Sequence, residues 1–303
     1  MVQADRIKTV AIVGCTAVGK SDTALKLAER FDGALIGADS MQIYRGFDIG
    51  TGKLTRAECG NVSHYMIDIA DGDAYFSAGD YVEQASAAIT KVHADGKLPI
   101  IVGGTGLYLY SLLSGFNFAD APKNDEVRTA LKTAAHFFGA KTMHKLLTAA
   151  DFNSAQNISA NDCKRIIRAL EIFAVGGTAK SEAAAKCDTQ YDYITIVLTL
   201  PREMLYDKIN KRVHKMFADG LIEETKSLLR FKDCQSMQAL GYKQICENPN
   251  ASIAELEELT ARKTRNYAKR QMTYFNNMKL NKVFIDARDY DAVEAHVKKF
   301  LES

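Results

Sequence analysis

IKTVAIVGCTAVGKSDTALKLAERF, residues 7–31, decides how the rest of the chain reads. Ile7 to Val13 is a short β-rich apolar run ending in glycine. Ser21 to Phe31 then carries Leu25, Leu27, Ala28 and Phe31 at helical spacing, so the stretch predicts strand, loop, helix. The loop itself, GCTAVGKS from Gly14 to Ser21, fits G-x-x-x-x-G-K-[ST]. Its glycines let backbone N–H groups approach phosphate oxygens, Lys20 adds a positive charge, and the Ser21 hydroxyl suits Mg²⁺. A glycine-rich turn that binds nothing is the bland alternative, and the placement between a strand and a helix argues against it.

Two further apolar runs repeat the theme. Ala34 to Ala38 stops at Asp39-Ser40, and Leu98 to Val102 stops at Gly103-Gly104-Thr105-Gly106, with Tyr81 to Ala94 reading as a crossover helix between them. Alternating strands and helices imply a parallel sheet covered on both faces, with a ligand crevice at the carboxyl ends of its strands. The predicted class is α/β, a P-loop NTPase-like parallel sheet flanked by helices. From about Asp120 to Lys186 strand signals vanish, which predicts a helical insertion domain over 120–189 between core segments 1–119 and 190–303. Tyr193 to Leu200 reads as strand again. After Pro201 the chain is mostly helical to Lys279, then closes with a strand at Lys282 to Ile285 and a helix.

Composition excludes several classes. The 303 residues, 47% hydrophobic and 25% charged, suffice for a full core. MVQADRIKTV has no apolar signal region, and the longest apolar runs, such as ITIVLTL at 194–200, are too short to span a bilayer; a cytoplasmic protein without membrane contact is expected. Cysteines at 15, 59, 163, 187, 234 and 246 form no CxxC pair and no metal-ligand spacing, so reduced thiols are expected. Net charge is +2, yet residues 202–282 hold 16 Lys or Arg against 10 Asp or Glu, which hints at a polyanionic partner.

An ATPase normally carries a second acid at the end of a wholly apolar strand, but the third strand here ends in VGGTG. The candidate acid is Asp39, either a base or a helix cap, a role Ser40 could equally fill. Thr105 is likewise either a hydroxyl donor to a substrate or the N-cap of a tight βα turn. In RKTRNYAKRQMTYF, at about 100° per residue, Arg262, Lys263, Arg265, Lys269 and Arg270 share a face of about 160°, with Ala261, Ala268, Met272 and Phe275 opposite. These cations have no acidic neighbour at i±3 or i±4 within the segment. With Lys164, Arg165 and Arg168 in NDCKRIIRALE, they favour nucleic-acid phosphates over a merely solvated face.

GCTAVGKS, DSMQIYRGFDIGTGK, LPIIVGGTGLYL, NDCKRIIRALEIF, GLIEE with MQALGYKQI, and TRNYAKRQMTYF together resemble, in order, the bacterial tRNA dimethylallyltransferase family. The resemblance spans residues 14 to 275. It implies transfer of a dimethylallyl group from dimethylallyl diphosphate to the N6 amine of the adenosine at position 37, 3′ of the anticodon, in tRNAs reading codons that begin with U. It implies Asp39 as general base, Thr105 near the bridging oxygen of the diphosphate, and Arg212 in INKRVHKM as a diphosphate-neutralising cation. Diphosphate contacts would come from Gly14, Thr16, Ala17, Val18, Gly19, Lys20 and Ser21, with Mg²⁺ as cofactor near Ser21. Residues matching the family's tRNA contacts are Asp39, Ser40, Met41, Gln42, Thr105, Arg128, Lys164, Arg165, Arg168, Gln238, Gly241, Tyr242, Lys243, Lys263, Arg265, Lys269 and Arg270. A monomer is expected. Departures from the pattern are Cys15 for a usual proline, Ser159-Ala160 for a common His-Pro, and Tyr274 for a frequent tryptophan. Three rival readings remain. An adenylate isopentenyltransferase would use free AMP, a P-loop small-molecule kinase would turn over ATP, and a non-catalytic RNA-binding module would not need Asp39.

Overall fold

The computed structural model describes residues 6–115, 124–176 and 189–303. Cys187 and the two ends of the insertion lie outside them. Two compact units are present, one formed by residues 1–113 with 189–303 and the other by 114–188.

The first unit is built on a six-stranded parallel sheet, β1 (Ile7–Gly14), β2 (Gly33–Gly37), β3 (His64–Tyr65), β4 (Leu98–Gly103), β5 (Tyr191–Thr199) and β6 (Lys282–Asp286), in the order β3-β2-β4-β1-β5-β6. Burial explains the composition of its strands. Val10 to Val13, Leu35, Ile36, Ile100, Ile101 and Ile196 to Leu198 are all within the core, and parallel strands covered on both faces read as continuous apolar runs. Central β1 pairs with β4, Val10 opposite Ile100, and with β5, Ile7 opposite Tyr191. The expected strands therefore form within a residue or two of their predicted ends. The exception is β3, whose two residues leave no run to detect.

Helices α1 (Lys20–Arg30), α2 (Arg56–Cys59), α3 (Ala78–Ala94) and α4 (Gly106–Leu113) belong to the amino-terminal half of this unit. Ser77 and Asp80 form a capping box on α3, and burial of Tyr81, Ala85, Ile89 and Val92 fixes its inward face. No described helix is long and apolar enough to cross a membrane.

In the second unit, α5 (Asp125–Ala150), α6 (Phe152–Asn157) and α7 (Cys163–Gly176) enclose a small core of Met143, Leu147, Ala155, Ile158, Ile166, Ala169 and Leu170. Glu171 is fully buried beside it. Its carboxylate accepts hydrogen bonds from the Asn124 N–H (2.9 Å), from Arg128 Nε and Nη2 (3.0 and 2.9 Å), and pairs with Arg168 Nη1 (3.0 Å). Burial alone would raise this carboxyl, but the Asn124 N–H and the two guanidiniums outweigh it and hold it below the ordinary range.

The carboxyl-terminal part returns to the first unit as α8 (Arg202–Ala218), α9 (Leu221–Ser227), α10 (Tyr242–Glu247), α11 (Ile253–Asn277) and α12 (Tyr290–Glu302). Helix α11 starts at a Ser252/Glu255 capping box and buries Ala261, Ala268 and Phe275, the apolar face its sequence predicts.

Replacing Glu171 with Ala strands two guanidiniums and a buried N–H. The unit of residues 114–188 is expected to lose about 3 kcal/mol in urea unfolding, the low end for a broken buried pair because both arginines keep some solvent contact. Glu171→Gln keeps an acceptor and should cost less. A loss below about 0.5 kcal/mol for Glu171→Ala contradicts this account.

Candidate active site

Strand β1 runs into a tightly bent loop that leads directly into a helix. Ala17 adopts a left-handed conformation (φ 64°), the Val18 N–H returns to the Cys15 carbonyl (3.4 Å), and α1 begins at Lys20. Successive amides in such a turn, at the start of a helix, make a concavity for anions. Lys20 folds back so that Nζ donates to the Cys15 carbonyl (2.8 Å). Burial pushes its pKa down to about 8, with Cys15 and Asp39 opposing and Arg212 assisting.

Asp39 follows β2 at the same edge of the sheet. One of its oxygens accepts from the Met41 N–H (2.9 Å), a local turn rather than a helix cap, and the residue lines the same cavity as Thr16, Lys20 and Ser21. Thr105, past the end of β4, ties these loops together. Its backbone N–H donates to the Ala38 carbonyl (3.0 Å) and its Oγ1 accepts from the Ser40 N–H (3.0 Å). The Thr105 hydroxyl is thus a cross-strand clasp, which also donates its proton over a long bond to Ser40 Oγ (3.4 Å).

Arg212 enters from α8. Its Nη2 donates to the Thr51 carbonyl (3.1 Å), and Gln42 Nε2 donates to the carbonyls of Thr51 (3.1 Å) and Gly52 (3.2 Å). The guanidinium lies so close to Gly52 that a Cβ there would sit 2.3 Å from Nη2, so only glycine fits. Desolvation lowers the pKa of Arg212, and the Asp39 carboxylate opposes that shift. Together Thr16, Lys20, Ser21, Asp39, Gln42, Gly52 and Arg212 border a cavity of about 310 Å³, all of it within the first unit.

Several cavity residues escaped the sequence reading, Gln271, His64 and Tyr267 among them. Gln271 accepts from the Thr16 N–H at Oε1 (2.8 Å) and donates from Nε2 to the Gly104 carbonyl (2.9 Å), joining the loops after β1 and β4. A glutamine three residues after Ala268, on the apolar side of α11, was the available signal. His64 lines the cavity with neither ring nitrogen hydrogen-bonded among the described residues, and burial holds its pKa at about 4, so the ring is neutral. Tyr267 also lines it, its hydroxyl pKa raised by burial and by Asp39.

The remaining predicted residues divide. Gln238 and Arg270 border the cavity, Met41 is half-buried within its lining, and Lys243 donates to Gln238 (2.9 Å). Lys263 and Lys269 are exposed on α11, as is Arg262. Arg265 departs from the expected uncompensated face: it bonds Glu258 (2.9 Å) and Asn210 (2.7 Å), because an acid two turns back lies outside the basic segment itself. Tyr242 and Gly241, expected to contact tRNA, are buried, Tyr242 completely. In the second unit Lys164 is exposed and Arg165 pairs with Asp162 (3.4 Å), whereas Arg128 and Arg168 are held by Glu171.

Comparison with known proteins places the whole chain. The family model described as IPP transferase matches residues 42–278. The tRNA dimethylallyltransferase of Halalkalibacterium halodurans is 42% identical over 94% of this chain and 92% of its own length. That of Bacillus mycoides is 42% identical over 100% and 96% respectively. Among solved structures, the full-length tRNA isopentenylpyrophosphate transferase of Bacillus halodurans superposes with a TM-score of 0.72 at 39% identity, over 97% of each chain. A eukaryotic dimethylallyltransferase acting on tRNA gives 0.83 at 25% identity, over 96% of this chain and 78% of that one. With most of its length matched by the family model and by relatives of this similarity, the chain belongs to the IPP transferase family.

Proposed function

We propose that this protein transfers a dimethylallyl group from dimethylallyl diphosphate to the N6 amine of adenosine 37 in tRNA, giving i6A in tRNAs that read codons beginning with U. The observation that carries the reading is the meeting of a phosphate-cradling loop, a carboxylate and a guanidinium in one cavity, in a chain of the IPP transferase family. The relatives named above act on tRNA, and the exposed cations Lys263, Lys269 and Arg270 on α11 suit its phosphates. An adenosine stacked in an anticodon loop must leave its stack to reach such a cavity, whose border includes the amide side chains of Gln42 and Gln238.

Each group has a step. The N6 lone pair attacks C1 of the allyl group while the C1–O bond breaks and its electron pair departs with the diphosphate. Asp39 takes the N6 proton. Lys20, Arg212 and those amides of the 16–21 loop not already bonded to Gln271 or Cys15 receive the charge that develops on the leaving group, and the Thr105 hydroxyl turns from Ser40 Oγ to donate to its bridging oxygen. The donor set suits Mg²⁺: among the described residues no cluster of three acidic, His or Cys side chains could hold a metal, but Ser21 borders the cavity. Mg²⁺ usually takes one or two protein oxygens and otherwise phosphates and waters. Ser21 would hold the ion, which supplies charge against the departing diphosphate.

Incubation with dimethylallyl diphosphate, Mg²⁺ and an A36-A37 tRNA should yield i6A by nucleoside mass spectrometry, and prenylation of free AMP alone would reject the proposal. Asp39→Asn should lower kcat by about 10²–10⁴-fold with the donor KM little changed; full activity would remove Asp39 from the role of base. As pH rises through about 8, the uncomplexed protein should lose affinity for inorganic diphosphate as Lys20 gives up its proton. That downward inflection in calorimetric titrations should be absent from Lys20→Ala.

A further inference from the structure

The loop of residues 48–52 supplies the floor beneath Arg212, yet it has no regular secondary structure of its own to hold it. Its backbone amides face Glu224 on α9. The Ile49 N–H donates to both carboxylate oxygens (3.1 and 2.9 Å), the Asp48 N–H to one (3.3 Å) and the Gly50 N–H to the other (3.4 Å). Tyr242, buried at the start of α10, closes the arrangement: its hydroxyl donates to Glu224 Oε1 and accepts from the Gly50 N–H (3.0 Å). A Cβ at Gly50 would lie 2.4 Å from the Tyr242 ring, and that ring packs edge-on against Phe47 (5.3 Å between centroids). Lys53 pins the far end of the loop, its Nζ bonding the Tyr44 carbonyl (2.5 Å) and the carboxylates of Asp48 and Asp68 (2.8 and 2.5 Å).

Three consecutive amides converging on one carboxylate form an anion nest, here filled by the protein's own side chain. Charge-assisted bonds to a half-buried acid are stronger than neutral ones, so the nest fixes the loop rather than merely decorating it. What it fixes is the Thr51 carbonyl, which receives both Arg212 Nη2 and Gln42 Nε2. Neither Glu224 nor Tyr242 borders the cavity, whereas Gly50, Thr51 and Gly52 do.

We propose that Glu224 and Tyr242 are positioning residues, which act through the 48–52 loop to set the Arg212 guanidinium where the leaving diphosphate must be met. The inference rests on the functional reading above for the role of Arg212, but the coupling itself is read by anion binding alone. Misplacing a catalytic cation by about 1 Å is enough to cost on the order of 10²-fold in rate.

A double-mutant cycle tests it, with inorganic diphosphate affinity by calorimetry and kcat/KM for the prenyl donor as paired readouts. Glu224→Ala should weaken diphosphate binding about tenfold and lower kcat/KM about 100-fold. Glu224→Gln, which keeps an acceptor for Ile49, should restore part of both. Tyr242→Phe keeps the ring against Phe47, and so its folding, and should cost about threefold in diphosphate affinity. In an Arg212→Ala background each of these substitutions should add less than about twofold, because the group they position is gone. Equal losses with and without Arg212, or Tyr242→Phe with unaltered diphosphate affinity, would overturn the proposal, since a purely structural role lowers the thermal midpoint without depending on Arg212. If the wild-type chain binds diphosphate but prenylates no tRNA, the functional reading fails while the binding cycle still decides the coupling.

Discussion

Two desolvated cations, Lys20 and Arg212, lie within the electrostatic reach of one carboxylate, Asp39, at the carboxyl edge of the sheet. Burial disfavours the charge on each cation and Asp39 restores part of it, so the three groups stand or fall together. In the proposed reaction, a diphosphate entering the cavity adds negative charge beside both cations. The balance depends on distance: every polar group that orders the surrounding loops serves to keep these three side chains in register.

The parallel sheet makes such register attainable. Strands β1, β2 and β4 end side by side, and their loops are sewn across the ends by Thr105, which bonds both Ala38 and Ser40, and by Gln271, which spans Thr16 and Gly104. These clasps use backbone groups that would otherwise face the cavity unsatisfied. Order at the site is therefore a property of the sheet's edge as a whole and is not confined to the phosphate loop.

Much of this was legible because local pattern and tertiary demand coincide. Continuous apolar runs ending in glycine gave the strands, since a doubly covered parallel strand has no polar face to interrupt it. The apolar side of α11 followed from its spacing for the same reason. Partnership across the fold was not legible. Glu171 three residues after Arg168 is a readable helical pair, but nothing near Arg128 announces that it converges on the same carboxylate, and nothing in GYKQI shows that Tyr242 turns inward to Glu224. Charged and aromatic residues in a recognisable block were read as surface contacts, whereas long-range ion pairs and hydrogen bonds draw several of them into supporting roles. Gln271 illustrates the converse, a polar residue on an apolar stripe whose partners lie about 160 residues and more away in sequence.

Strand order has a consequence for how the chain comes into being. The partner of β1 on one side, β4, is made early, but the partner on the other side, β5, begins at Tyr191, after the whole helical unit of residues 114–188. During synthesis the central strand β1 thus waits with one edge bare, a template for unwanted pairing. Closing the sheet joins segments separated by most of the chain, a late and slow event by its topology. The helical unit, whose described core residues Met143 to Leu170 lie close together in sequence, has time to assemble first. For a nascent chain, the vulnerable interval lies between emergence of the phosphate loop and arrival of β5, and its length is set by the insertion.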